Sequence, residues 1–403
     1  MIKKHLLFVI DSLGVGGAEK SLLTFLSVLD DSRFEVDLQL FGYGGQFEQY
    51  IPKTVHLLPP LPYTRYLQES LWKQILSISP LKTCNRILFS WAIRKKGLRH
   101  IDRARLYWKY FSRFFETTKE YDIAIAYAQN LPTLYVADKV KARKKLGWVN
   151  VDYIPEGKNH HFYKSYYNRI DNIVAVSQSA KESFIKVYPD LQPKTTVIMD
   201  MVDGKIIEQM SMARCGIKIE KAAPPLLTMA RLNKPQKGYD MALDACRILK
   251  ERGVRFRWYA LGEGPYRSEM EQYIKEHHLE DTFFLLGAFP NPYPVLRQCT
   301  LYVQTSRHEG FGLSIAEARI LNIPVVTTEF DAVYAQMVPG ENGLVVPQDP
   351  EAVADAIERL LNDHALYQHI VEYQSHEKKS NTEEIQKFYQ LIENDLRQQS
   401  SVL

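Results

Sequence analysis

LYVQTSRHEGFGLSIAEA, residues 301–318, decides the fold. Its first six residues, opened by the apolar Leu301, Tyr302 and Val303, read as a short strand. The turn His308–Gly312 follows, and its glycines, Gly310 and Gly312, let backbone come close to a ligand. A helix is predicted from about Leu313. Strand, glycine turn and helix in that order make one unit of a parallel α/β sheet. Two carboxylates flank the turn: Glu309 on the loop at the carboxyl end of the strand, Glu317 about one turn inside the helix. Free N–H groups at the helix start suit phosphate, and a carboxylate beside them suits hydroxyl groups such as those of a sugar. Ser314-Ile-Ala-Glu317 also matches a capping box, in which Glu317 would only cap its own helix. That reading leaves Glu309 and the two glycines unexplained.

The same unit recurs along the chain. HLLFVI, FEVDLQLF, YDIAIAYA, KLGWVNV and NIVAVS read as buried strands before Pro224–Pro225, and PLLTMA, RFRWYALG, TFFLLG, LYVQTS, IPVVTT and GLVVP after it. Helical stretches separate most of them, which predicts two doubly wound parallel sheets. A length of 403 residues agrees with two cores. The expected domains are residues 1–200 and 201–380. A helix over 381–403, EEIQKFYQLIENDLRQ at its centre, is expected to pack back toward the first domain. Ligands of such sheets bind beyond the carboxyl ends of the strands, so a central cleft between the domains is the expected site.

Composition narrows the class. The net charge of +4 does not call for nucleic acid. Cys84, Cys215, Cys246 and Cys299 form no C-x-x-C pair, so neither zinc nor a disulfide framework is expected. Lys3 and Lys4 precede the apolar run Leu6–Ile10, which Asp11 ends too early for a signal peptide. No stretch approaches the roughly 20 apolar residues that span a bilayer. A cytoplasmic chain is expected, with peripheral contact to the inner face of the membrane open to it. Residues 81–115 are crowded with Lys and Arg. There Ala104, Tyr107, Trp108, Phe111 and Phe115 follow helical spacing, with Arg105, Lys109 and Arg113 opposite. Such a helix either lies on anionic lipid or packs on its own domain with a solvated basic face.

Three further motifs sit at strand ends. In MARLNKPQKGYDMALDA, Arg231 and Lys237 precede a helix led by Gly238. Two cations there can neutralise a diphosphate, or be a solvated basic loop. In DSLGVGGAEK, Gly14, Gly16 and Gly17 lie between strand and helix, but Glu19 stands where a dinucleotide fingerprint needs its third glycine. A general anion-binding turn and a purely steric one both remain. ALGEGP, with Gly262, is a tight turn at the same sheet edge. No D-x-D, H-E-x-x-H or Walker loop occurs, so a bound diphosphate would rely on cations and helix ends, with no metal and no cofactor.

Taken in order, these motifs resemble the family 4 retaining glycosyltransferases of bacterial capsule, exopolysaccharide and lipopolysaccharide synthesis, which have the two-domain GT-B fold. The resemblance rests on Gly16-Gly17-Ala18-Glu19, Arg231, Lys237-Gly238, LGEGP, FFLLGAF, the spaced pair Glu309 and Glu317, and NGLVVPQDPEAVADAI from Asn342. It implies a hexosyltransferase that takes a UDP- or GDP-sugar donor and a glycan or lipid-linked acceptor. Arg231 and Lys237 would pair with the diphosphate, Glu309 with donor-sugar hydroxyls, and Glu317 with the ribose. Phe311, Gly312, Leu313 and Gly262 would line the donor site, and Gly16 and Gly17 would close over the reacting centre. The family often has a histidine after the strand that here reads GWVNVDY, where Asn150 and Asp152 stand as acceptor-side candidates. Rival readings are an epimerase or hydrolase on the same fold and a non-catalytic nucleotide-sugar-binding protein.

Overall fold

The computed structural model describes residues 3–14, 16–61, 80–96, 100–115, 119–150, 159–214 and 216–400. The chain divides into two compact units, Met1–Met199 with Phe388–Leu403, and Asp200–Lys387. Each is built on one parallel sheet.

The first sheet holds β1 (Lys4–Ser12), β2 (Phe34–Gly42), β3 (Val55–Leu57), β4 (Glu120–Ala126), β5 (Lys141–Val149), β6 (Asn172–Ala175) and β7 (Thr195–Val197). Their spatial order is β3-β2-β1-β4-β5-β6-β7. Leu6–Ile10 of β1 are at most 2 % exposed, as a strand covered on both faces requires. The helix Gly17–Val28 follows β1 and buries Leu22, Phe25 and Leu26.

The helix Ile385–Ser400 belongs to this first unit by its packing. Phe388 is fully buried, with its ring centroid 5.0 Å from that of Phe25, and Tyr389 stacks on Phe34 at 5.9 Å. The Tyr389 hydroxyl accepts the Asp30 N–H at 3.0 Å.

The second sheet holds β8 (Pro225–Met229), β9 (Arg257–Leu261), β10 (Phe283–Gly287), β11 (Leu301–Gln304), β12 (Val325–Thr328) and β13 (Gly343–Val346), in the order β10-β9-β8-β11-β12-β13. The order reverses between the neighbours β8 and β11. Connections leaving a sheet at such a switch point diverge to opposite faces and leave a crevice beyond the strand ends. The motifs over 230–238 and 305–312 lie in those two connections.

Two edge strands of three residues, β3 and β7, are too short for any periodicity to announce. β5 reaches back to Lys141 through KARKK, ahead of the apolar part of the run KLGWVNV, and Lys144 within it is buried, at 9 % exposure. The basic helix covers His100–Phe111 and gives way to a 3-10 turn over Ser112–Phe114, so Arg113 and Phe115 lie beyond it. Its apolar face is covered: Trp108, Phe111 and Phe115 are at most 2 % exposed, and Phe115 stacks on Trp108 at 5.8 Å. Cys84, Cys246 and Cys299 are free thiols.

Candidate active site

Glu309 is the centre of the best-defined polar cluster at the switch point. Lys237 Nζ lies 2.6 Å from its Oε1 and 2.7 Å from its Oε2. Gln304 Nε2 donates to Oε1 at 2.9 Å and Ser306 Oγ donates to the same oxygen at 2.6 Å. The side chains of Lys237 and Glu309 are 18 % and 11 % exposed, so the pair is mostly removed from water. An ionised carboxylate so placed needs donors, and three side chains supply them.

The two loops that carry the pair are laced together by backbone. The Arg307 N–H donates to Gln236 O at 2.8 Å, and Thr305 Oγ1 donates to Lys237 O at 3.2 Å. Arg307 forks onto Asp240 at 3.0 and 2.9 Å. Burial would raise the Asp240 carboxyl, but the Arg307 hydrogen bonds and charge outweigh it and hold it below the usual range. Gly238 sits in the left-handed region at φ 61°, and a Cβ there would lie 2.0 Å from Thr305 O. No other residue fits where these strands of backbone cross.

Gly262 has a similar steric reason. A Cβ on it would meet Ala230 O at 1.9 Å. The LGEGP turn therefore presses against the backbone just before Arg231, and Leu232 N–H donates to Glu263 O at 3.1 Å. Arg231 itself is exposed.

Glu317 is not a helix cap. The helix Leu313–Ile320 is led by Gly312 at φ 84°, in the left-handed region, which moves the cap position two residues ahead of Ser314. Ser314 Oγ instead donates to Met229 O at 3.2 Å, tying the helix to the end of β8. Glu317 is 2 % exposed and accepts a hydrogen bond from the Tyr293 hydroxyl at 3.0 Å. The capping box is thus a local pattern that the left-handed turn overrides. Phe311 and Leu313 have buried side chains, and Gln336 Nε2 donates to the carbonyls of Phe311 and Gly312, at 3.2 Å for the latter. That bond fixes the turn from behind. The helix start leaves N–H groups with no acceptor within the helix.

In the first unit, Gly16 caps the helix Gly17–Val28 with extended backbone. A Cβ on Gly16 would lie 2.3 Å from Glu19 Oε2, so the Glu19 carboxylate folds over the turn. Glu19 also stands at the place of the missing third glycine, which counts against the dinucleotide reading on steric grounds. Asn150 donates from Nδ2 to Tyr127 O at 2.7 Å, at the end of β5. Asp152 lies outside the described residues.

Sequence reasoning named Glu309, Lys237 and Glu317 but missed Gln304, Ser306, Tyr293, Arg307, Asp240 and Gln336. A signal existed for the first: glutamine inside the otherwise apolar run LYVQ is out of place unless its amide is bonded.

Comparison with known proteins joins these elements. Residues 216–377 match the family described as glycosyl transferases group 1. The amylovoran biosynthesis glycosyltransferase AmsK of Erwinia amylovora is 28 % identical over 172 residues, 38 % of this chain and 42 % of that protein. This chain resembles the glycosyltransferases of exopolysaccharide synthesis. The alpha-D-kanosaminyltransferase of Streptomyces kanamyceticus is 30 % identical over 153 residues, 37 % of this chain and 39 % of that glycosyltransferase. The chain thus spans about two fifths of the length of these curated relatives. The crystal structure of Anabaena Alr3699/HepE in complex with UDP and glucose aligns over 99 % of this chain and 100 % of its own, with a TM-score of 0.64 and 18 % identity. Crystalline TarM aligns over 97 % and 99 %, with a TM-score of 0.66 and 14 % identity. Likeness at that identity gives the fold, which is the GT-B fold of glycosyltransferases: two parallel-sheet α/β domains.

Proposed function

We propose that this chain is a retaining glycosyltransferase that moves a hexose from a UDP- or GDP-sugar to a glycan or lipid-linked acceptor in surface polysaccharide synthesis. The observation that carries the reading is the half-buried Lys237–Glu309 pair at the switch point, beside the exposed Arg231 and the free helix start at Leu313. The match of residues 216–377 to glycosyl transferases group 1 covers all of these residues. HepE, whose crystals hold UDP and glucose, supports a donor of that class.

In this reading the donor's diphosphate lies against Arg231, Lys237 and the helix start, and charge that builds on the β-phosphate as the glycosidic bond breaks is met by fixed cations. Glu309 accepts from hydroxyls of the transferred sugar. Glu317, held by Tyr293, accepts from the ribose. Gly16 and Gly17 are the first unit's donor-side candidates, and Asn150 and Asp152 are the acceptor-side candidates. Neither a metal nor a cofactor is part of this scheme.

A peripheral membrane site through residues 81–115 is part of the same proposal. The apolar face of the helix His100–Phe111 packs inside its own domain, while Lys109, Arg113 in the turn beyond it, and Arg105, whose guanidinium lies 5.2 Å from the Phe162 ring centre, are exposed. The preceding helix, Pro80–Lys96, offers what that helix does not. Ile87, Leu88 and Trp91 are 64 %, 43 % and 60 % exposed, one helical stripe opposite Phe89, which packs on Phe111 at 4.9 Å.

The test is a thermal-shift screen of nucleoside-diphosphate sugars, followed by product analysis with and without a glycan acceptor, in excess EDTA. Donor binding raises the melting temperature by mass action, and product forms without metal. Loss of all activity in EDTA, restored by magnesium or manganese, refutes the cation scheme. Release of free sugar or of an epimer with equal yield whether or not acceptor is present favours the hydrolase or epimerase.

A further inference from the structure

Gln304 closes β11 at 2 % exposure, in a strand whose four residues are all buried. Its amide has two partners. Nε2 donates to Glu309 Oε1 at 2.9 Å, and Oε1 accepts the Tyr302 hydroxyl at 2.7 Å. Tyr302 and Gln304 are two apart on one strand and so share a face. The orientation of the amide is dictated by its neighbours. An ionised Glu309 can only accept, so the NH₂ must face it, and the carbonyl must then take the phenol proton. Burial keeps that phenol protonated, its pKa raised well above the ordinary value. The chain of donors therefore runs one way, from Tyr302 through Gln304 to Glu309.

The effect on Glu309 is lopsided. Oε1 receives Lys237, Gln304 and Ser306, while Oε2 receives Lys237. Three donors on one oxygen fix rotation of the carboxylate about its last bond. We propose that Tyr302 and Gln304 form a positioning relay that anchors Glu309 by Oε1 and holds Oε2 toward the sugar hydroxyl. Neither residue touches substrate; both act through Glu309. This rests on the reading of Glu309 as the sugar-facing carboxylate.

A carboxyl in place of the amide makes the relay titratable. When ionised it cannot donate to Glu309 and repels it. When protonated it is nearly isosteric with glutamine and restores both bonds, an O–H toward Glu309 and an acceptor toward Tyr302. Burial and the facing Glu309 raise the pKa of such a carboxyl above the ordinary range, so Gln304→Glu should stay within about 3-fold of the wild type at low pH and lose kcat by about 10- to 100-fold once the pH is high enough to ionise it, each rate taken relative to the wild type at the same pH. Gln304→Leu should stay low at low and high pH alike, with KM for the donor changed less than about 3-fold, as expected for an interaction that matters in the transition state. Melting curves of the variants exclude misfolding. Crystal structures of the wild type and Gln304→Leu give a readout free of activity: the Glu309 carboxylate should be turned in the variant. A Gln304→Leu enzyme with normal kcat, a Gln304→Glu enzyme with no pH-dependent recovery, or an unmoved carboxylate overturns the relay. If the wild type transfers sugar from no nucleoside-diphosphate donor, the glycosyltransferase reading falls by itself. The carboxylate position then decides the relay alone.

Discussion

Lys237→Met removes one half of the Lys237–Glu309 pair while keeping most of the aliphatic side chain. At a separation of 2.6 Å and an effective dielectric constant of 20, the gross attraction is 332/(20 × 2.6), about 6 kcal/mol. Desolvation of two side chains that are 18 % and 11 % exposed returns a large part of this. Gln304 and Ser306 still donate to Glu309 after the change, so the stranded carboxylate is not wholly unsolvated. The expected loss is about 2–4 kcal/mol, between the value for a surface pair and that for a fully buried one. Glu309→Gln alone strands Lys237, which is the more exposed partner, and should cost about 1–2 kcal/mol. In the double variant neither charge is stranded. Its cost should fall short of the sum by about 2 kcal/mol or more. Urea denaturation of the four proteins measures this coupling directly. Additivity within about 0.5 kcal/mol would show that the two groups do not hold each other in solution and would refute the central observation.

Glu309→Gln should lower kcat by roughly 100-fold yet leave nucleoside diphosphate affinity nearly normal, whereas Glu317→Gln should weaken that affinity, and isothermal titration of the diphosphate separates the two. For Asp240 and Asp37, burial raises the carboxyl and hydrogen bonds, from Arg307 and from Lys119, His56 and Tyr121 respectively, more than reverse it. Both folded values are lowered, so their stabilisation is full above the unfolded pKa of about 3.9 and is lost as pH falls through the folded value. Asp240→Asn should flatten the acid limb of a stability–pH curve, and an unchanged limb would remove the Arg307 clamp from the account. Leu88→Asp with Trp91→Ser should abolish sedimentation with phosphatidylglycerol vesicles more completely than Arg105, Lys109 and Arg113 changed to Glu, with donor binding intact in both. Failure of the wild type to sediment at low salt ends the membrane reading.

The buried strands were legible because each is a short apolar run, and Leu6–Ile10 or Pro225–Met229 can be nothing else in a chain with turns so close by. Lys237 and Glu309 were legible by residue type and by their place after strands. Their pairing was not. It depends on β8 and β11 becoming neighbours across about 70 residues, which no local window contains. The bond between Tyr293 and Glu317 was hidden for the same reason. Ser314 illustrates the opposite error, a complete local signature that Gly312 displaces by taking a left-handed conformation. The basic helix kept its period up to Phe111, and the turn after it still delivered Phe115 to the core.

Phe388 and Ile392 fill the first unit although nearly two hundred residues of the second unit come between them and the rest of it. During synthesis, the sheet from β1 to β7 leaves the ribosome without these side chains, and the apolar surface of Phe25 and Trp148 that they cover waits until the whole second unit has been made. At about 5–20 residues per second that wait is on the order of 10–40 s. The second unit carries all of its own strands and can close first. The order of completion is therefore the reverse of the order of translation, and a nascent chain halted before residue 388 leaves the apolar surface of Phe25 and Trp148 uncovered.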